Sequence, residues 1–165
     1  MTYEFDQVEL LEAIVTYFNT NLASLNKVRC FVVPAFDISY YAQIKPPLLP
    51  IKPGPITPLD GRGCCLRYNF FLRPIVNIPS SNSYDAILGR PSTSTYYGVV
   101  YLTQKILPLL ETINLRDSLT LSKTLIEGGY VTSVAEPTLE FTGKKNPPWI
   151  GQTITASYSI KIEES

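Results

Sequence analysis

Side chains able to carry out chemistry are few in this chain and are poorly spaced for it. The 165 residues include no histidine. The commonest general base, the usual zinc ligand and the central member of most hydrolytic triads are therefore missing. Three cysteines remain: Cys64 and Cys65 are neighbours, which a strand would point to opposite faces, and no CxxC spacing accompanies them. Cys30 has only Arg29 and apolar residues beside it, with no activating base. All three read as small buried hydrophobes, and an odd set with an adjacent pair is a poor disulfide framework. The carboxylates Asp37, Asp60, Asp85, Asp117 and Glu136 fall mainly in expected loops or at strand ends, with no DxD or ExxE pattern between them. A two-carboxylate mechanism would need them to converge in space. Gly61-Arg62-Gly63 and Gly128-Gly129 lack the lysine and helix start of a phosphate loop and read as turns. No catalytic residue, cofactor site or metal site is assigned.

The sequence points instead toward contact-making. Arg62, Arg67 and Arg73, with Phe71 and the eleven tyrosines, are residue types enriched where proteins meet. The competing reading is an ordinary solvated sheet face with one exposed aromatic. Between Lys45 and Gly63 lie six prolines, at positions 46, 47, 50, 53, 55 and 58. They remove backbone donors and favour an extended path, so this segment is expected to be an arm and not a central strand. Three PxxP spacings occur in it, but that pattern arises in any proline-rich loop. Its apolar residues Leu48, Leu49, Ile51, Ile56 and Leu59 are too many for a solvated linker and should pack on this subunit or a neighbour. With Arg62, Arg67, Phe71 and Arg73, they form the expected subunit interface.

The elements that must position these residues follow from periodicity. Asp6 and Glu9 have capping-box spacing, and Val8, Leu11, Ile14, Val15, Phe18 and Leu22 recur as one stripe of a helix starting near Gln7. Val28–Val33 reads as a short strand ending at Pro34, and residues 36–44 as its extension or partner. Leu66, Tyr68, Phe70, Leu72, Val76 and Ile78 alternate with polar positions, so one face of that strand is core. Residues 79–94 read as a long loop. Val99, Leu102, Ile106, Leu110 and Ile113 mark a second helix that should kink or break at Pro108. Residues 119–126 and 130–141 flank Glu127-Gly128-Gly129 as a hairpin whose second strand Pro137 makes an edge or breaks. Residues 150–162 alternate most cleanly, as a half-buried antiparallel strand.

The chain is therefore expected to be one α+β domain over residues 1–165, a mostly antiparallel sheet packed against two α-helices. The proline-rich arm would span residues 45–63 and the long loop residues 79–94. Fourteen basic and fourteen acidic residues cancel, leaving no field to draw the chain onto nucleic acid or an anionic bilayer. No apolar run approaches the roughly 20 residues of a membrane span, and the acidic start lacks the pattern of an export signal.

On the opening helix Gln7–Leu22, the strand Leu66–Ile78, the helix Val99–Ile113 and the closing strand Ile150–Ile162, the chain resembles the tail terminator proteins of long-tailed bacteriophages and related contractile particles. The likeness is one of architecture over nearly the whole chain, and the arm and long loop depart from compact members. The resemblance implies a virion protein assembled in the host cytoplasm. It would form a ring, usually of six copies, that caps the tail tube, ends its polymerisation and meets a neck or connector protein, with a tail sheath as a further possible partner. It implies no catalytic residue. In such a ring, leftover strand edges and the arm would be met by sister copies. The alternatives are a ligand-binding or peptide-binding module, and an enzyme assembled from distant loops.

Overall fold

The computed structural model describes residues 6–25, 28–59, 65–78, 85–89, 97–113, 115, 124–140 and 149–162. Among the described residues the architecture is α+β, with eight strands in one mostly antiparallel sheet and two long helices on one of its faces.

Helix α1 (Gln7–Asn21) begins where Asp6 Oδ1 accepts a hydrogen bond from the Glu9 amide at 3.1 Å, satisfying one of the donors left open at a helix start. It buries Leu10, Ala13, Ile14 and Phe18, with Leu11 and Val15 at the margin. The stripe is thus centred on Leu10, Ile14 and Phe18, and Val8 faces solvent. Helix α3 (Val99–Thr112) buries four of the expected stripe residues, Val99, Leu102, Ile106 and Leu110, and the fifth, Ile113, is buried as its C-cap. It runs through Pro108 without a break, against expectation. The proline costs one backbone bond, while the Thr112 hydroxyl donates to the Pro108 carbonyl at 2.9 Å and the Tyr17 hydroxyl of α1 donates to the Leu109 carbonyl at 2.9 Å. The Leu109 carbonyl is one of the last four of the helix, which lack helical partners, and the Thr112 hydroxyl gives the Pro108 carbonyl a side-chain donor. A four-residue helix, α2 (Asp85–Leu88), lies within the expected long loop.

The strands are β1 (Arg29–Val32), β2 (Leu48–Pro58), β3 (Cys65–Leu72), β4 (Ile75–Asn77), β5 (Thr124–Val134), β6 (Thr138–Glu140), β7 (Trp149–Gly151) and β8 (Ile154–Ile162), paired in the order β5-β8-β3-β2-β4-β7-β6 with β1 parallel to β2. The registers reduce this to five lines. Leu72 pairs with Ile51 and Ile75 with Leu48, so β4 continues β3 along β2. Leu72 also pairs with Ile154 and Ile75 with Gly151, so β7 leads into β8 in the same register. β6 continues β5 beyond a break at residues 135–137 that contains Pro137, as expected of an edge. The interruptions lie side by side. Backbone bonds Arg73 N to Pro50 O (3.1 Å), Gln152 N to Pro74 O (3.1 Å) and Ala135 N to Thr153 O (2.9 Å) carry the ladder across them.

Three expectations are corrected. Most of the proline-rich segment is β2 (Leu48–Pro58), with β1 against its first four residues and β3 along the rest. A strand tolerates proline wherever no donor is needed: Pro50 offers its carbonyl to Arg73, Pro55 sits in the irregularity between Pro53 and Ile56, and Pro58 ends the strand. Residues 36–44 are not a strand. Asp37 Oδ1 accepts from the Ser39 amide at 2.9 Å and caps a 3-10 turn at Ile38–Tyr40. Gly128 and Gly129 are not a hairpin turn but lie inside β5. There Gly129 allows the end of α3 to approach: a Cβ at this position would overlap the Leu110 carbonyl oxygen and stand 2.5 Å from the Tyr158 ring.

The main core lies between the helices and the sheet, where Tyr68, Phe70 and Tyr158 form an aromatic row with Phe70 and Tyr158 centroids 5.0 Å apart. A second, smaller core lies on the opposite face. There Val33, Tyr41, Leu48, Ile75 and Trp149 are buried, with Phe36, Ile38 and Ile44 packed against them. The bent segment 33–47 thus covers one end of the sheet's second face.

Two predictions test this packing. Gly129→Ala should lower stability by about 1–3 kcal/mol through overpacking, measured by chemical denaturation; an unchanged midpoint would mean that α3 is not pressed onto β5. Tyr158 has its hydroxyl buried without a hydrogen-bond partner among the described residues, and burial, then the nearby Tyr17, push its ionisation well above the ordinary tyrosine range. Tyr158→Phe should therefore be neutral or stabilising at pH 7. Because the folded pKa is raised, the stability tied to the neutral phenol is complete below about pH 10 and is lost as pH climbs through the folded value. Melting scans above pH 10 should show a shallower alkaline loss in Tyr158→Phe than in the parent.

Candidate functional site

The line of strand interruptions places one buried charge pair at the centre of the second face. Arg73 follows β3, and its side chain lies over Gly151 of β7, where a Cβ would stand 2.8 Å from Nε. From there the guanidinium reaches the edge strand: Nε donates to Glu140 Oε1 of β6, one Nη to Thr153 Oγ1 at 2.7 Å and the other to Thr138 Oγ1 at 2.7 Å. The Tyr41 hydroxyl, from the covering segment, approaches Glu140 Oε2 at 3.4 Å. Arg73 and Glu140 are each 8% exposed. Burial first, then the charge of Glu140, push the Tyr41 phenol well above its ordinary range, so it stays protonated and able to donate.

This cluster has the composition of a polar site but is closed. Every guanidinium nitrogen has a partner, and the covering segment lies over it. It joins three sheet lines and the cover: Arg73 from β3, Thr153 beside β8, Thr138 and Glu140 from β6, and Tyr41 from above. A buried, fully bonded ion pair of this kind is costly to break from one side, because the remaining charge is left desolvated. Alternation in the sequence placed Arg73 on the polar face of its strand, but Glu140 had no local signal. The spacing between them is set by the register, which pairs β3 with β8 and β6 with β7.

The nine residues expected at a subunit interface separate into groups. Leu48, Leu49 and Ile51 are fully buried inside the chain's own two cores, and Arg73 is committed to Glu140; these four are not surface residues. Arg62 lies outside the described residues, as does Cys64. Ile56, Leu59 and Arg67 are exposed, and Phe71 is half-buried with Lys52 Nζ 5.1 Å from its ring centroid. These four belong to the β2–β3 hairpin or adjoin it, with Arg67 and Phe71 on the second-core face of the sheet and Ile56, paired with Tyr68, on the helix-covered face. The Asn69 carboxamide donates to the Pro55 carbonyl at 2.8 Å and to Thr57 Oγ1 at 3.2 Å, stiffening the irregular stretch of β2.

Cys30 is buried, as expected, and burial pushes its thiol far above the ordinary range, which leaves it a poor nucleophile. Among the described residues no group of three or more cysteines and carboxylates is placed to hold a metal ion, and no helix is long and apolar enough to cross a membrane.

Arg73→Met should cost about 3–5 kcal/mol by stranding the Glu140 carboxylate, while Arg73→Met/Glu140→Leu should recover most of that loss. Denaturant titrations of the two single variants and the double variant give the coupling, and additive costs would mean that the two charges do not act as a pair.

Searched against protein-family models and against curated proteins, the chain matches none.

Proposed function

We propose that this chain is a non-catalytic structural subunit that works as a homo-oligomeric ring, in the manner of phage tail terminators. Each copy would meet its neighbour head to tail, and the ring, most simply of six copies, would cap a tail tube protein and present its other side to a neck or connector protein, or to a sheath. Its place would be the virion. One observation carries the reading: the hairpin formed by β2 and β3 presents Ile56, Leu59, Arg67 and the Lys52–Phe71 pair outside either core. Mixed apolar and arginine surface of this kind suits a protein contact, and head-to-tail closure needs two different patches on one subunit. The covered second face adds support, since it gives the hairpin a rigid base in the Arg73 cluster.

Deleting the proline-rich segment would remove a core strand, so the test uses point variants. Native mass spectrometry of the purified chain, with negative-stain imaging, should show closed multimers. Leu59→Asp and Arg67→Glu should reduce them to smaller species while leaving the melting temperature within a few degrees. A monomer that persists at high concentration and beside tail-tube protein defeats the proposal, and a saturable small ligand or peptide bound by that monomer favours a binding module.

A further inference from the structure

Strand edges are the natural place for copies of a sheet protein to join, because their outward N–H and C=O groups can accept another strand. Strand β1 is one edge of this sheet. Arg29 N bonds to Pro47 O at 3.3 Å and Val33 N to Ile51 O at 2.8 Å, so the odd residues of β1 face β2 and the amide and carbonyl of Cys30 point outward. These two groups are already met. Asn19, near the end of α1, accepts from Cys30 N through Oδ1 at 2.8 Å and donates from Nδ2 to Cys30 O at 3.1 Å. A carboxamide has the same donor and acceptor as a peptide group, and here it stands where the peptide of an added strand would stand.

We infer that Asn19 is a plug in a strand-docking position, and that the strand it keeps out is β1 of a second copy of this chain. The stretch it closes is short, because the outward amide of Val28 already bonds to the Leu25 carbonyl at 3.1 Å and Pro34 follows the strand, which leaves Cys30 and Val32 as the outward residues that could pair. In an antiparallel register that sets Cys30 opposite Val32 of the second copy, Arg29 falls opposite Val33, so no like charges meet. The other edges carry different obstacles. Beyond β1, the outer side of β2 presents Pro53 and Pro58, because Pro50 and Leu59 face β3 through their bonds to Arg73 and Cys65. Strand β5 shifts register twice and breaks before Pro137. Prolines and bulges are both devices that blunt edges. At these edges, contact between copies would therefore run through side-chain surfaces and not by extending one another's sheet. This inference holds whether or not the chain closes into a ring.

The test is sedimentation velocity over a concentration series, with circular-dichroism melting to verify folding. Asn19→Ala should convert the wild-type species, whatever its size, into one of twice the mass as concentration rises, and amide exchange at Cys30 should be slowed again in the paired form. Adding Val32→Pro to that variant removes an outward N–H and should restore the wild-type distribution. Asn19→Asp, which keeps the acceptor and loses the donor, should show a weaker shift and serves if the alanine variant does not fold. A folded Asn19→Ala or Asn19→Asp protein that sediments as wild type overturns the inference. Association that survives Val32→Pro overturns it as well.

Discussion

The fold depends on keeping backbone hydrogen bonds in register across a line where three of its strand lines, β3–β4, β7–β8 and β5–β6, are interrupted while β2 runs through. Arg73–Pro74, Gln152–Thr153 and Ala135–Pro137 lie side by side, and a buried amide left open there would cost as much as a lost hydrogen bond. Three backbone bonds bridge the gap, and the β3–β4 line keeps its register against β2 and against β7–β8 across it, while the β5–β6 edge line shifts by one residue. That register decides which side chains face the helices and which face the second core. A one-residue slip would exchange the two sets.

Arg73 uses the space the irregularity creates. Gly151 leaves room beneath the guanidinium, and Thr153, Thr138 and Glu140 meet its donors from neighbouring lines. The pair sits beside an apolar cluster, where a lone charge could not stay. The covering segment is then fixed from two directions: by Phe36, Ile38 and Ile44 against the second core, and by Tyr41 against both that core and Glu140.

Much of the fold was legible in local pattern. The α3 stripe, the α1 cap and the alternation of residues 150–162 are each set by neighbours in the chain. What escaped reading was set by distant partners. Proline density argued against a strand at residues 48–58, because the sequence does not reveal which side of each proline lacks a partner. Two glycines looked like a turn at 128–129, although the need at Gly129 is space for the Leu110 carbonyl. Ile75 and Trp149 belong to a second core that no single stretch announces. For the contact surface, counting apolar residues in the proline-rich segment mixed Leu48, Leu49 and Ile51, which the chain buries itself, with Ile56 and Leu59, which it does not. Arg73 was read by residue type alone, and only the register shows its carboxylate.

The sole tryptophan of the chain, Trp149, belongs to the second core and not to the helix-covered one. Intrinsic fluorescence is therefore a local optical probe of the lid formed by residues 33–47: emission moves when that lid lifts, whereas loosening of α1 and α3 alone registers in far-ultraviolet ellipticity.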